Sequence, residues 1–447
     1  MSVELEARTM KKVARRLLPF TFLLFIINYL DRVNVGFAAL QMNQELGFSA
    51  AVFGFGSGIF FISYVIFEIP SNLILMRVGA RIWMARIMIT WGIVSAGMAL
   101  INSETSFYIL RFLLGLAEAG FFPGMVVYLS MWFPKSYRAK ALSYFLTATV
   151  ISLVIGAPLT GWIMSTFDGV AGISGWRWMF VLEGLPAVLL GILLPFYLTD
   201  RPHQATWLQE DEKAWLASRL SDEENEQSRG GRHSLLEAFR HPTVLLLTAI
   251  YFFAVTAIYG VVLWLPQIIK SIGSLSTTQT GFVAAIPFVF AAFSMNILGR
   301  YSDRTGNRRT PVLVAIFVGG TALLASTYAP SPIVALLLLC VAAMGLWGML
   351  GVFWTLPTTI LVGTAAAAGV AFINTFAQIG GFIGPFAVGW IRDSTGSFQT
   401  ALAVLAGSAL VSALLATRLR MPQGGADEAG GVKTENYILS RRENPGD

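Results

Sequence analysis

Residues 299–309 read Gly299-Arg300-Tyr301-Ser302-Asp303-Arg304-Thr305-Gly306-Asn307-Arg308-Arg309, and the chain on either side is apolar over 280–299 and 311–329. An α-helix crosses a hydrocarbon core with about 20 apolar residues. The polar stretch is therefore a short loop between two membrane-spanning helices. Its arginines put it on the cytoplasmic side, where Lys and Arg accumulate.

Working outward, the same pattern recurs along the whole chain. Apolar runs lie near 18–40, 52–75, 82–101, 107–132, 141–164 and 179–198, then near 243–268, 280–299, 311–329, 333–357, 366–391 and 398–418. That is six spans, a long polar segment and six more. The 447 residues are 55% hydrophobic and 13% charged, with a mean hydropathy of +0.66, whereas about a quarter of the residues of a soluble domain are charged. A soluble globule, a disordered chain, a disulfide scaffold and a coiled coil are all excluded. Cys340 lies alone in an apolar run and reads as a small core residue.

The net charge of +6 does not point to nucleic acid, because the basic residues bracket the apolar runs. With both termini cytoplasmic, the inner segments hold 26 of the 31 Lys and Arg, and the outer ones hold Arg177, Lys270 and Arg392. Arg32 and Arg111 lie inside spans. The opposite orientation would reverse the usual bias. The first run carries Asp31 and Arg32, and no small-residue cleavage site follows it, so it reads as a retained span.

The expected organisation is an all-α membrane protein of twelve transmembrane helices in two pseudo-symmetric six-helix bundles. The bundles are 1–198 and 242–420. Between them, 199–241 is a cytoplasmic linker with an amphipathic helix, in which Trp207, Leu208, Trp215, Leu216 and Leu220 alternate with acids and suit a membrane surface. The Gly-rich tail, 421–447, is expected to be disordered. Two matches relate the halves. Arg77, Gly79 and Arg81 align with the loop at 299–309 at an offset of 227, and Ile155-Gly156 with Gly161-Trp162-Ile163 recurs as Ile383-Gly384 with Gly389-Trp390-Ile391 at an offset of 228. A duplicated unit places a substrate site where the halves meet near mid-membrane.

Ionised groups are costly inside a bilayer and are functional candidates by default. Asp31 and Arg32 lie deep in the first span, Glu68 in the second, Arg111 and Glu118 in the fourth, and Glu183 in the sixth. Asn28, Asp31 and Arg32 fall near one helical face, with Tyr29 one turn before Arg32. Arg111 and Glu118 share a face but stand two turns, about 10.5 Å, apart. Each needs another partner, and Asp31 for Arg111 or Arg32 for Glu118 would supply it; a static tie between helices is the alternative. Glu68 and Glu183, near the interfaces, read as structural pairing or interfacial exposure. The Gly120/Gly124 and Gly156/Gly161 pairs read as close helix packing, and the Gly54, Gly56, Gly58 cluster carries little signal.

The loop at 299–309 matches G-x-x-x-D-R-x-G-R-R, and with the six-plus-six topology it resembles the major facilitator superfamily. The first-half copy has Asn72 and Met76 where Gly and Asp are usual, so a latch there must be weaker or built differently. Within the superfamily, Asn28 to Gly36, Phe67 to Asn72 and Arg111 to Gly124, with Trp176-Arg177-Trp178 and Asp200-Arg201-Pro202, resemble the anion:cation symporter family, and the tartrate transporter group above all. The resemblance implies that Asp31 and Glu118 take up protons and that Arg32 and Arg111 hold a substrate carboxylate or pair with those acids. A guanidinium offers a bidentate fork, so substrate and proton can be linked through a shared arginine. Tyr29, Tyr64, Trp354, Asn374 and Gln378 are the further substrate-binding candidates, with interhelical packing as the plain alternative for the aromatics. Asp303, Arg304, Gly306 and Arg308 are expected to control gating.

Enzyme chemistry has little support. His203, His233 and His241 lie in the central segment without metal-ligand spacing, and no nucleophile has an evident base. No metal or cofactor is expected. The reading is a proton-coupled importer of a small hydroxylated organic anion, tartrate-like or a sugar acid. It is expected in the bacterial inner membrane, working as a monomer with the lipid bilayer, the organic carboxylate and protons as its partners. The alternatives are a proton-independent organic-anion facilitator or exchanger and, in another class, a membrane-embedded enzyme or sensor.

Overall fold

In lipid a backbone N–H or C=O has no water to bond, so each apolar run folds as a helix that satisfies its own polar groups. The computed structural model describes residues 3–229, 241–357 and 364–419. Among the described residues twelve helices are long and apolar enough to cross a membrane, so this is a multi-pass membrane protein. The expected tail, 421–447, and residues 230–240 of the linker lie outside the described residues.

The first span is α1 (Val3–Val33) followed by α2 (Val35–Leu46). Then come α3 (Ala50–Val78) and α4 (Ala80–Gly97). The fourth span is divided into α5 (Glu104–Glu118) and α6 (Phe121–Ser130), and α7 (Lys135–Thr166) and α8 (Gly175–Tyr197) complete the first six. The polar segment holds α9 (Glu210–Arg229). The second six are α10 (Pro242–Ile272), α11 (Thr277–Thr305), α12 (Arg309–Ser326), α13 (Pro332–Phe353), α14 (Thr364–Thr395) and α15 (Phe398–Ala416). Several helices overrun the apolar stretches that announce them; α7 starts at Lys135, not near 141. Helix continues into polar ends where hydropathy carries no signal.

Two spans are interrupted beside their charges, which sequence periodicity does not show. The helix of the first is interrupted at Asn34, just after Asp31 and Arg32. The fourth breaks after Glu118, where Ala119 leaves the helical region with ψ 129° and Gly120 takes φ +89°. Only glycine adopts that conformation cheaply.

The halves meet along α3 with α14 and α7 with α11. On the face opposite the N-terminus they touch through glycines. A Cβ on Gly54 would lie 2.5 Å from the Pro385 carbonyl oxygen, and one on Gly36 would lie 2.6 Å from that of Leu263. Asp393 at the end of α14 accepts from the Ala50 and Ala51 amides at 2.9 and 2.7 Å, so a second-half carboxylate caps the free N–H groups that open α3. That face is shut.

On the N-terminal face, α9 lies against the first half. Arg8 pairs with Asp211 at 2.6 Å and with Glu212 at 3.0 Å, and Lys12 pairs with Glu212 at 2.7 Å. Leu208, Trp215 and Leu216 are buried in the protein. This differs from the membrane-surface helix expected from the sequence, because the cations that open α1 stand where the acids of α9 can reach them. Burial alone would raise the Glu212 carboxyl, but Lys12, the Gln209 amide and Arg8 outweigh it and hold the group below the usual glutamate range.

Candidate functional site

Between the halves lies a cavity of 500 Å³, within the roughly 300–1,000 Å³ of small-molecule sites. It runs from Tyr29, Arg32 and Tyr64 at mid-membrane past Ser143 near the start of α7 to Asp303 and Arg308 at the N-terminal face. Trp354, Asn374 and Gln378 of the second half border it as well. So do Tyr251 and Tyr259 of α10 and Trp347 of α13, which the sequence reading passed over. Tyr251 and Tyr259 are two turns apart on one face of an apolar helix, and that spacing was a signal available from the sequence.

Arg32 is the cation at the closed end of this cavity. Its guanidinium donates to Glu118 Oε1 from Nε at 3.0 Å and from Nη2, while Nη1 reaches the Tyr259 hydroxyl at 3.4 Å. The Tyr64 and Phe60 rings lie 5.0 and 5.3 Å from its charge centre. Of the two cross-helix pairings open to the sequence, Arg32 with Glu118 is the one present. Glu118 itself is 1% exposed and its other oxygen, Oε2, has no hydrogen-bond partner among the described residues.

Arg111 does not border the cavity. It is 0% exposed, donates from Nε to the Gly56 carbonyl at 3.2 Å and from Nη2 to that of Ser57 at 3.0 Å, and lies over the Phe60 ring at 4.9 Å. It is within electrostatic reach of Glu118, Asp31 and Arg32 without an ion pair to any acid. The expectation that Arg111 holds substrate therefore meets a side chain that ties α5 to α3 in this conformation. Asp31 likewise stands behind the cavity wall, accepting from Trp91 Nε1 at 2.5 Å, Ser95 Oγ at 2.5 Å and Asn34 Nδ2 at 2.9 Å. It does not pair with Arg111, because α1 turns it toward α4.

Glu68 spans the halves. Its carboxylate accepts from Asn374 Nδ2 and Thr375 Oγ1, each at 3.2 Å. Asn374 thus has one amide hydrogen engaged, while the buried Gln378 Oε1 has no partner among the described residues.

At the mouth, Gly306 ends α11 with φ +67°, the left-handed cap that lets the chain turn sharply into α12. Asp303 and Arg304 are exposed, and Asp303 makes no ion pair among the described residues. In the first half Asp200, beyond α8, accepts from the Arg81 amide at 2.8 Å and pairs with its guanidinium at 3.7 Å.

The family profile of the Major Facilitator Superfamily matches residues 21–385. The chain belongs to the major facilitator superfamily. It is a transporter and not an enzyme. A protein of Agrobacterium vitis named "Putative tartrate transporter" is 47% identical over 415 residues, covering 93% of this chain and 95% of that one. The "Inner membrane transport protein RhmT" of Escherichia coli strain K12 is 38% identical, covering 94% of this chain and 97% of its own. Among solved structures, the partially occluded inward open form of the xylose transporter XylE from E. coli matches with a TM-score of 0.74 at 16% identity, covering 93% of this chain and 99% of that one. That last likeness is one of fold alone.

Proposed function

We propose that this superfamily member imports a small hydroxylated organic anion, tartrate-like or a sugar acid, together with a proton across the bacterial inner membrane. Both termini are cytoplasmic in this reading, and 1–198 and 242–420 are the halves that move. The cavity then opens to the cytoplasm, and the conformation is inward-facing.

The observation that carries the proposal is the sharing of Arg32. One guanidinium at the closed end of the cavity is held by a buried carboxylate, Glu118, and faces Tyr259. A substrate carboxylate entering the cavity competes with Glu118 for the same fork. A Glu118 left buried without its cation carries a heavy desolvation cost unless it takes a proton. Substrate binding and protonation of Glu118 thus favour each other, which is what symport requires. Tyr29, Tyr64, Trp354, Asn374 and Gln378 supply hydroxyl, indole and amide groups suited to a hydroxylated acid. The names of the Agrobacterium vitis and Escherichia coli relatives support the tartrate-like choice and the inner membrane.

The test is uptake by proteoliposomes offered tartrate, sugar acids, phthalate and hydroxyphenylacetate, with and without an imposed pH gradient. Accumulation of a hydroxylated acid driven by the gradient is expected. Uptake indifferent to the gradient would make the protein a facilitator or exchanger, and a flat response to every anion would remove the substrate class.

A further inference from the structure

Behind the cavity wall the first half holds a second acid pair, with no cation bound to it. Asn34, at the junction of α1 and α2, donates through one amide nitrogen to Asp31 Oδ1 at 2.9 Å and to Glu183 Oε2 at 3.1 Å. Asp31 and Glu183 are 1% and 3% exposed. Neither makes an ion pair among the described residues; the charged groups within reach are Glu118 and Arg111 on the Asp31 side, with Asp31 itself facing Glu183. The remaining elements against the pair contribute neutral groups, Trp91 and Ser95 from α4 and Thr160 from α7. Two ionised carboxylates joined by one amide in a membrane interior are not a stable resting charge.

The partners separate the two acids chemically. Each Asp31 oxygen meets a group that can only donate, Asn34 Nδ2 on Oδ1 beside the Ser95 hydroxyl and Trp91 Nε1 on Oδ2, so Asp31 is built to be an acceptor. Glu183 shares the Asn34 amide on Oε2 only. Glu183 Oε1 instead meets a hydroxyl, Thr160 Oγ1, at 2.6 Å. A hydroxyl donates to a carboxylate and accepts from a carboxylic acid with equal ease, so this contact survives either state of Glu183.

Thr160 also sits on the seam between the halves. It is the one polar side chain lining a void of 20 Å³ whose walls are otherwise apolar, Leu30, Val33, Val262 and Ala284 among them. Its neighbours Ala157 and Gly161 are the points where α7 touches Gly281 of α11. When the halves part on that face, Thr160 is uncovered, and with it the way to Glu183.

From this geometry we infer that Glu183 is a proton-binding residue of the transport cycle, loaded through Thr160 from the face opposite the cavity and paired across Asn34 with Asp31. The step moves one proton from water to Glu183 Oε1 and takes the pair from two negative charges to one; no other bond changes. The inference rests on the proton-coupled reading above and adds to it a residue for which the sequence alone suggests structural pairing or interfacial exposure.

The experiment uses the full chain. In detergent, infrared difference spectra after a pH step should show the carbonyl band of a protonated carboxylic acid, absent in Glu183→Gln and shifted in Thr160→Val, which keeps the side-chain volume but removes the hydroxyl. In proteoliposomes, gradient-driven accumulation should fall at least ten-fold more than substrate exchange in Glu183→Gln. An unchanged acid band in Glu183→Gln, or accumulation at the parental level, overturns the inference. So does accumulation by the parent that follows a sodium gradient at equal pH, which would make the pair a metal-cation site. A parent indifferent to any gradient overturns the symport reading itself, and that is seen before any variant is compared.

Discussion

Arg32 meets the cavity beside Tyr259 and Glu118, whereas Arg111 spends its guanidinium on the carbonyls of Gly56 and Ser57, so lysine should affect them differently. An ammonium cannot hold Glu118 and a substrate carboxylate with one planar fork. Losing a charge-assisted hydrogen bond of about 1.5–3 kcal/mol, Arg32→Lys should bind substrate roughly 10- to 100-fold more weakly with little change in melting temperature. Arg111→Lys gives up one of two carbonyl contacts in a fully buried site and should melt several degrees lower, while the folded fraction binds within about three-fold of the parent. Calorimetry of binding and thermal unfolding in detergent separate the two. A large loss of affinity in folded Arg111→Lys would return it to the substrate site in another conformation. For Glu118→Gln the expected outcome is exchange without net accumulation, since an amide keeps one hydrogen bond to Arg32 and cannot cycle a proton. Proton-driven accumulation at the parental level would remove Glu118 from coupling.

At the scale of elements, the closed face depends on helices that approach to backbone distance. Gly54→Ala puts a methyl 2.5 Å from the Pro385 carbonyl oxygen, and rigid backbone on both sides gives no easy relief. The variant should favour the conformation open on that face, read as longer distances between spin labels on α3 and α14. Unchanged distances would mean that the helices simply shift. The clamp of α9 is an element of another kind, electrostatic and outside the membrane. Because Glu212 is held below its ordinary range by Lys12 and Arg8, its share of the docking is complete above the usual glutamate range. It is lost as the pH falls through the depressed value. Proteolysis of the central segment should therefore rise on acidification in the parent, and be already raised and flat with pH in Glu212→Gln.

At the scale of the molecule, two acids on opposite faces set opposite biases. Asp393 caps α3 across the halves in the present conformation, and a carboxylate at a helix N-terminus is worth about 1 kcal/mol. Asp393→Asn should shift the equilibrium roughly five-fold toward opening of that face. Asp303 lines the open mouth with no ion pair among the described residues, so it has no pairing to lose here, and the gating role expected for it is a contact made when its own face closes. Asp303→Asn should shift the equilibrium the other way and change the transport rate while leaving the ranking of substrates intact. Spin-label distances across both faces decide the signs, and shifts in the same direction would break the two-latch account.

The sequence by itself determined the twelve spans, their duplication and the superfamily, because lipid imposes a length and polarity on every crossing segment and the loop at 299–309 has a recognisable pattern. It also marked Tyr29, Arg32, Tyr64, Trp354, Asn374 and Gln378, polar or aromatic residues in apolar runs, all of which border the cavity. It left open which acid meets which arginine, since Asp31 and Arg32 are adjacent and a small rotation of α1 exchanges their neighbours. The tertiary structure decided that, turning Arg32 to the cavity and to Glu118, and Asp31 to α4. It also decided the cluster of Asp31, Asn34, Thr160 and Glu183, drawn from helices up to 152 positions apart in sequence. The cap of α3 by Asp393 belongs with these. Hydropathy reports how deep a residue lies, not which way it points, and the azimuth of each helix is fixed only when its neighbours pack against it.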